Sequence, residues 1–317
     1  PLALRDLSSL APVLADPGTL KILHGADYDV TTLKRDFGFA FAGLFDTMLA
    51  ARLLGRAELG LQALVRAELG VELSKGAQKD DWSRRPLQPR QLQYALADVE
   101  HLVVLQAKLE AELVARGRLD WLHEECEAVA ALPPARRRQD ADAYQRVKGA
   151  KELSPRGLAI LREVHAWREA LADKTNIPAF KLLQPTTLLL IAGKPITTRD
   201  ELARLPELRR WAREVPTVQE AIARAVALPD DALPQWIKQP WVRVSGEVRR
   251  RTEALQRLRQ KLAKDEALDP SVVLSQKLID RIAEAAPQTP EALVAIEGVR
   301  RWRVAAWGAA MLEAMGS

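Results

Sequence analysis

Three side chains among the first hundred residues have the types and spacing that suit a metal site. Asp29 follows a short apolar run that ends at His24, and this pattern predicts a strand leading into a helix N-terminus. Tyr94 and Asp98 are four residues apart in a predicted helix, so they share one face and are one turn apart. A carboxylate on each of two helices suits a hard divalent cation, which prefers oxygen ligands.

Asp29 alone also has a structural interpretation, because Asp at a helix start commonly accepts hydrogen bonds from backbone N–H groups. Its combination with Tyr94 and Asp98 favours the functional interpretation. His101 lies on the same predicted face as Tyr94 and Asp98. At that spacing we interpret it as a partly exposed structural residue rather than a metal ligand.

Alternating strands and helices must position these residues. Strands are predicted at residues 20–23 and 41–45, and helices at 28–37, 47–54 and 61–69. Each helix is followed by a glycine, which readily adopts the left-handed conformation that ends a helix. The order strand, helix, strand, helix predicts an α/β fold.

The helix that carries Tyr94 and Asp98 is predicted to run from residue 89 to about 113. Its apolar stripe is expected to face the core and consists of Leu92, Leu96, Val99, Val103 and Leu109. A polar loop at residues 73–87 precedes this helix and surrounds Trp82 with the cations Lys75, Lys79, Arg84 and Arg85. These cations are candidate phosphate contacts, and the alternative is a solvated loop that Trp82 anchors to the core.

Residues 18–113 resemble the ribonuclease D group of 3'-5' exonucleases, in the superfamily named DEDD after four metal-binding acids. The resemblance is carried by Tyr28-Asp29, by Tyr94 and Asp98, and by the segments LFDT at 44–47 and DWSRRPL at 81–87. It implies a ribonuclease H-like α/β domain in which Asp29 and Asp98 bind Mg²⁺ or Mn²⁺. It also implies that Tyr94 orients or deprotonates the attacking water, and that nucleoside 5'-monophosphates are released from RNA 3' ends, including tRNA precursors. His24 is expected, with the loop cations, to contact the nucleic acid.

The family's first motif, Asp-x-Glu on an early strand, is absent from residues 1–20, where Asp6 and Asp16 are isolated. Because Pro1 is not a natural start, we expect an N-terminally truncated copy that carries two of the four ligands. Half of the usual negative charge should bind metal weakly, so this chain is expected to be nearly inactive.

The remainder of the chain is predicted to be helical and contains an internal repeat with a constant offset of 91 residues. The offset superimposes Leu182, Leu188, Ile191 and Trp211 on Val273, Ile279, Ile282 and Trp302. The first copy resembles the HRDC domain, a helical module that contacts nucleic acid, and the second resembles a divergent HRDC domain. The predicted domains are a partial exonuclease domain at 1–128, a linker at 129–150, HRDC domain 1 at 151–229, a connector at 230–244 and HRDC-like domain 2 at 245–317.

Charge is distributed unevenly: residues 1–130 contain 15 Lys and Arg against 19 Asp and Glu, and the remainder contains 32 against 23. A basic region joined to an acidic metal site suits a polyanionic substrate such as RNA. No apolar run approaches the roughly 18 residues of a membrane span and no signal peptide is evident, so a cytoplasmic location is predicted. The single Cys126 excludes an internal disulfide and is interpreted as a packing residue.

Two other functions compete with the exonuclease. The missing acids and the basic HRDC pair would also suit a non-catalytic nucleic-acid-binding protein. A helicase accessory fragment is disfavoured because no Gly-x-x-x-x-Gly-Lys-Ser/Thr loop occurs, and for the same reason no nucleotide cofactor is predicted. The sequence leaves the RNA substrate, the preference for RNA over DNA and the oligomeric state open.

Overall fold

The computed structural model describes residues 6–74, 76–78, 80–135, 141–175, 177–194, 198–236 and 245–316. The chain forms two compact units, one of Pro1–Arg136 with Arg243–Ser317 and the other of Arg137–Val242. The unit that contains the candidate metal ligands therefore also contains the second helical copy.

Within the residues that the structure describes, the α/β part of the first unit has two short strands and seven helices. A 3-10 turn, Ser8–Leu10, precedes the first of these helices. The strands are β1 (Lys21–Leu23) and β2 (Leu44–Asp46), and the helices are α1 (Ala11–Ala15), α2 (Asp27–Phe37), α3 (Thr47–Leu53), α4 (Leu61–Leu69), α5 (Pro89–Glu100), α6 (Leu102–Ala115) and α7 (Leu119–Ala130). The observed order of strands and helices confirms the predicted α/β pattern.

β1 and β2 pair in parallel, with Lys21 opposite Leu44 and Leu23 opposite Asp46. Because both strands run in the same direction, their carboxyl ends lie side by side. His24 after β1 is therefore next to Asp46 and Thr47 at the end of β2. Gly38 ends α2 with φ +69°, as the sequence predicted.

The predicted long helix at 89–113 is wrong in two respects. His101 interrupts it with φ −95° and ψ −5°, which separates α5 from α6. The predicted core stripe is mostly exposed, with relative exposures of 49% for Leu92, 61% for Leu96, 56% for Val99 and 64% for Val103. Only Leu109 of that stripe is buried. The reason is that the sheet in the described residues has two strands, and no layer of the described chain covers this face of α5.

The second unit consists of the first helical copy. Residues 129–150 were predicted to be linker. Part of this segment forms a 3-10 turn, Ala143–Arg146, in which Tyr144 is buried in the core of this unit, and a second turn, Ala150–Glu152, overlaps its end. The helices that follow are α8 (Pro155–Thr175), α9 (Ala179–Leu182), α10 (Pro185–Gly193), α11 (Arg199–Arg204), α12 (Pro206–Arg210) and α13 (Val215–Val226). Two further 3-10 turns lie at Ala212–Glu214 and Asp230–Ala232.

The second helical copy belongs to the first unit. Its helices are α14 (Gly246–Asp265), α15 (Pro270–Val273), α16 (Gln276–Ala285), α17 (Pro290–Val294) and α18 (Arg301–Gly316). Helix α15 begins 91 residues after α9, and α16 begins 91 residues after α10, which confirms the repeat. An arginine contact is also reproduced: Arg168 donates to the Leu183 carbonyl at 3.2 Å, and Arg259 donates to the Leu274 carbonyl at 3.4 Å.

The second copy shares one hydrophobic core with the α/β part. Buried residues from both parts belong to the same cluster, including Val30, Leu105, Leu122, Leu255 and Met311. On its edge, Trp121 of α7 stacks on Trp302 with ring centroids 4.3 Å apart. None of the described helices is both long and apolar enough to cross a bilayer.

Candidate active site

One cavity of about 840 Å³ brings together the candidate residues from three elements. His24 follows β1, Asp29 lies in the first turn of α2, and Tyr94 and Asp98 lie on α5. The remaining walls come from the segment between α3 and α4 and from the loop before α5, through Glu58, Leu59, Gly60, Leu61 and Gln78. Residues separated by about seventy positions in the chain therefore face the same space.

Tyr94 and Asp98 act as a pair on one face of α5. The four-residue spacing predicted that they share this face, and the Tyr94 hydroxyl donates a hydrogen bond to the Asp98 carboxylate. Partial burial raises the pKa of Asp98, although the Tyr94 hydrogen bond and the nearby His24 oppose this. Partial burial and the Asp98 charge together raise the pKa of the Tyr94 phenol. Tyr94 is therefore protonated at neutral pH and serves as a hydrogen-bond donor.

Asp29 remains exposed at the mouth of the cavity. Its pKa is raised, first by partial desolvation and then by the negative charges of Asp27 and Asp46. The surroundings of Asp29 and Asp98 thus disfavour the charged forms of these two carboxylates. A bound cation would offset this cost, because opposite charge favours ionisation.

His24 is held by Thr47 at the start of α3. The His24 Nδ1 and Thr47 Oγ1 atoms are 2.9 Å apart, and the Thr47 hydroxyl donates to the Leu23 carbonyl at 3.1 Å. Because that hydroxyl has a single proton, the shared hydrogen bond requires Nδ1–H as its donor. Burial lowers the pKa of His24 more than Asp46, Asp98 and a loop carbonyl raise it, so the ring is neutral near pH 7.

Asp46 was missed as a site residue, although the sequence predicted that it precedes a helix. Its buried carboxylate accepts from Gly25 N at 3.0 Å and from Ala26 N at 2.8 Å. It also caps α3 by accepting from Met48 N at 2.8 Å and from Leu49 N at 3.3 Å. One carboxylate therefore fixes both the turn before α2 and the start of α3. The LFDT segment was the only signal for this role.

The predicted loop cations are not brought together with the two carboxylates. Arg84 pairs with Asp81 at 3.3 Å and Arg85 donates to the Trp82 carbonyl at 2.9 Å, and both line a separate cavity of about 230 Å³. Lys75 and Lys79 lie outside the described residues. The Trp82 ring contacts the Tyr94 ring with centroids 5.9 Å apart, in keeping with an anchoring role for this tryptophan.

The donor set fits a metal only in part. Within the part of the chain that the structure describes, no group of three or more His, Cys, Asp and Glu side chains could hold an ion. Asp29 and Asp98 provide hard oxygen ligands for part of the coordination of one divalent cation. They do not provide the charge that two ions would require.

Comparisons with known proteins agree with this architecture. A family model described as 3'-5' exonuclease matches residues 1–114, and the HRDC domain model matches residues 157–216 and 249–315. Ribonuclease D of Pseudomonas paraeruginosa is 32% identical over 100% of this chain and 84% of its own length. Ribonuclease D of Gluconacetobacter diazotrophicus is 34% identical over 90% of this chain and 73% of its own length. The crystal structure of Escherichia coli RNase D, an exoribonuclease involved in structured RNA processing, is 27% identical and superimposes with a TM-score of 0.64 over 100% of this chain and 84% of that one.

Proposed function

This chain belongs to the ribonuclease D family, and we propose on that premise that Asp29, Asp98 and Tyr94 form the site of a metal-dependent 3'-5' exoribonuclease. The observation that carries the proposal is that these three side chains line one cavity. Ligand sites commonly have volumes of roughly 300–1,000 Å³. The cavity is therefore large enough for the terminal nucleotide of an RNA strand.

Hydrolysis of a phosphodiester needs stabilisation of negative charge, which bound divalent cations supply together with an activated water. We assign Mg²⁺ or Mn²⁺ to this role because carboxylate oxygens are the available donors. Asp29 of α2 and Asp98 of α5 would hold the cation. The protonated Tyr94 would orient the attacking water rather than deprotonate it, because its pKa is raised.

The substrate would be an RNA 3' end, with structured RNAs such as tRNA precursors as the class to test first. Each cycle would release one nucleoside 5'-monophosphate and expose the next 3' hydroxyl. We also propose a cytoplasmic location for this activity. The cation would be either Mg²⁺ or Mn²⁺.

Full activity would require additional carboxylates on an added strand. By family resemblance, an Asp-x-Glu strand would supply them, and the outer edge of β1 is unpaired within the described residues.

The test is degradation of a 5'-labelled RNA with a single-stranded 3' tail in the presence of Mn²⁺. We expect this chain to be nearly inactive, and the same chain extended by an Asp-x-Glu strand to shorten the RNA from its 3' end. In the extended protein, Asp98→Asn should abolish degradation and leave RNA binding nearly intact. Degradation by the unextended chain at the rate of the extended one, or loss of RNA binding in Asp98→Asn, would contradict the proposal.

A non-catalytic nucleic-acid-binding protein is the second candidate. It is favoured by the lack of a third metal-binding side chain among the described residues. The same assay separates the two functions, because a binding protein would retain RNA without shortening it even in the extended form.

A further inference from the structure

Each helical copy contains two adjacent arginines followed by a tryptophan, and we call these three residues the strip. The two copies differ in whether carboxylates bind the strip. In the second copy the strip is Arg300, Arg301 and Trp302, and two carboxylates of α7 bind it. Glu124 accepts from the backbone of Arg301 at 2.7 Å and from that of Trp302 at 2.9 Å. Glu125 accepts from the Trp302 indole at 3.1 Å and from the Arg300 guanidinium at 3.2 Å. The strip of the second copy is therefore already occupied by oxyanions.

The equivalent strip in the first copy is Arg209, Arg210 and Trp211, 91 residues earlier. Arg209 and Arg210 are exposed, and their guanidinium groups form no ion pair or hydrogen bond with the described residues. The Trp211 indole nitrogen is buried without an acceptor in the described chain, whereas its counterpart on Trp302 has Glu125. The first copy thus keeps the cations of the strip but lacks its anions.

We propose that Arg209 and Arg210 of the first copy bind the phosphate backbone of RNA, and that the second copy does not use its equivalent strip for RNA. Guanidinium groups bind carboxylates and phosphates with the same paired N–H geometry. Glu124 and Glu125 therefore mark, in the second copy, where oxyanions bind on this module. A single-stranded RNA presents such oxyanions in series, which suits two adjacent arginines. The identity of the polyanion rests on the proposed exoribonuclease function.

The test compares two charge reversals in the full chain. Arg209→Glu with Arg210→Glu changes the proposed strip, and Arg249→Glu with Arg250→Glu makes the same change on exposed positions of α14. Binding of a fluorescent single-stranded RNA is measured by anisotropy in EDTA at several salt concentrations. The strip variant should lose at least about tenfold in affinity, equivalent to about 1.4 kcal/mol. The slope of log affinity against log salt concentration should become shallower by about 1.4, since each of the two lost phosphate contacts on a single strand contributes roughly 0.7 to that slope.

The control variant should bind within about threefold of the unmodified chain, a difference below 1 kcal/mol. Unchanged binding in the strip variant would overturn the proposal. Equal losses in both variants would show a general charge effect and overturn it as well. Because EDTA removes divalent cations, the result does not depend on hydrolysis. Failure of the nuclease proposal would appear separately, as RNA binding without metal-dependent shortening.

Discussion

Asp46 Oδ2 accepts a hydrogen bond from the backbone N–H of Ala26 at 2.8 Å, so the end of β2 is bonded to the residue that immediately precedes α2. Asp29 lies in the first turn of that helix, and its position therefore depends on Asp46. The contact is possible because the parallel pairing places the carboxyl ends of β1 and β2 side by side.

Replacing Asp46 should disturb both stability and the site. Asp46→Ala leaves four backbone N–H groups without their acceptor and should lower the free energy of unfolding by about 2–4 kcal/mol. Asp46→Asn should also be destabilising, because its NH₂ group would face N–H donors. Urea denaturation measures the effect, with the exposed Asp120→Asn as a control that should not change stability. Stability equal to that of the control would show that the four hydrogen bonds are unimportant.

The ion pair between Arg303 and Glu125 should stabilise the joined α/β part and second copy. Arg303 is 8% exposed, pairs with Glu125 at 2.9 Å, and has a pKa lowered by burial. Glu125→Ala leaves this buried guanidinium unpaired and should cost about 3–5 kcal/mol. Glu127→Ala, on the exposed side of the same helix, should have little effect. Thermal unfolding compares the two variants, and similar midpoints would contradict the inferred role of the pair.

The carboxyls of the cavity should make stability depend on pH. Asp98 has a folded-state pKa above its ordinary value of 3.8, so its ionisation removes stability as the pH rises through the raised pKa. Asp98→Asn cannot ionise and should be more stable than the unmodified chain at pH 7. The two proteins should converge below the ordinary pKa, where Asp98 is protonated in both the folded and unfolded states. A stability difference at pH 7 that is zero or of opposite sign would refute this account.

The exposed apolar stripe on α5 and the start of α6 should tolerate charge. Because Leu96 and Val103 are 61% and 64% exposed, Leu96→Glu and Val103→Glu should each change the free energy of unfolding by less than about 0.5 kcal/mol. The double variant should also bind less of a dye that reports exposed apolar surface. Leu109→Glu is the buried counterpart and should be strongly destabilising. If Leu96→Glu lowered the free energy of unfolding by more than about 2 kcal/mol, Leu96 would lie in the core, as expected from the sequence.

Local signals predicted much of the α/β part. Gly38 and Gly70 predicted the ends of α2 and α4, and the spacing of Tyr94 and Asp98 predicted that they share one face of a helix. The strand preceding Asp29 was predicted in place. These features depend on residues within a few positions of each other, so a single sequence contains the information.

The features that were missed depend on distant partners. Apolar spacing identified the stripe of α5 but not whether another layer covers it. Trp121 and Trp302 stack although they are far apart in the chain, and no local pattern relates them. Asp46 has an ordinary capping position in the sequence, and its bonds to Gly25 and Ala26 arise only from the strand pairing.

The most direct test of the central claim is Mn²⁺ binding to the full chain followed by electron paramagnetic resonance. If Asp29 and Asp98 hold a cation in one cavity, the chain should bind about one Mn²⁺ weakly, since each ion needs several oxygen ligands. Asp29→Asn and Asp98→Asn should each abolish this binding, and Asp120→Asn should leave it unchanged. Equal Mn²⁺ binding by all four proteins would contradict the shared metal site and the exonuclease assignment that depends on it.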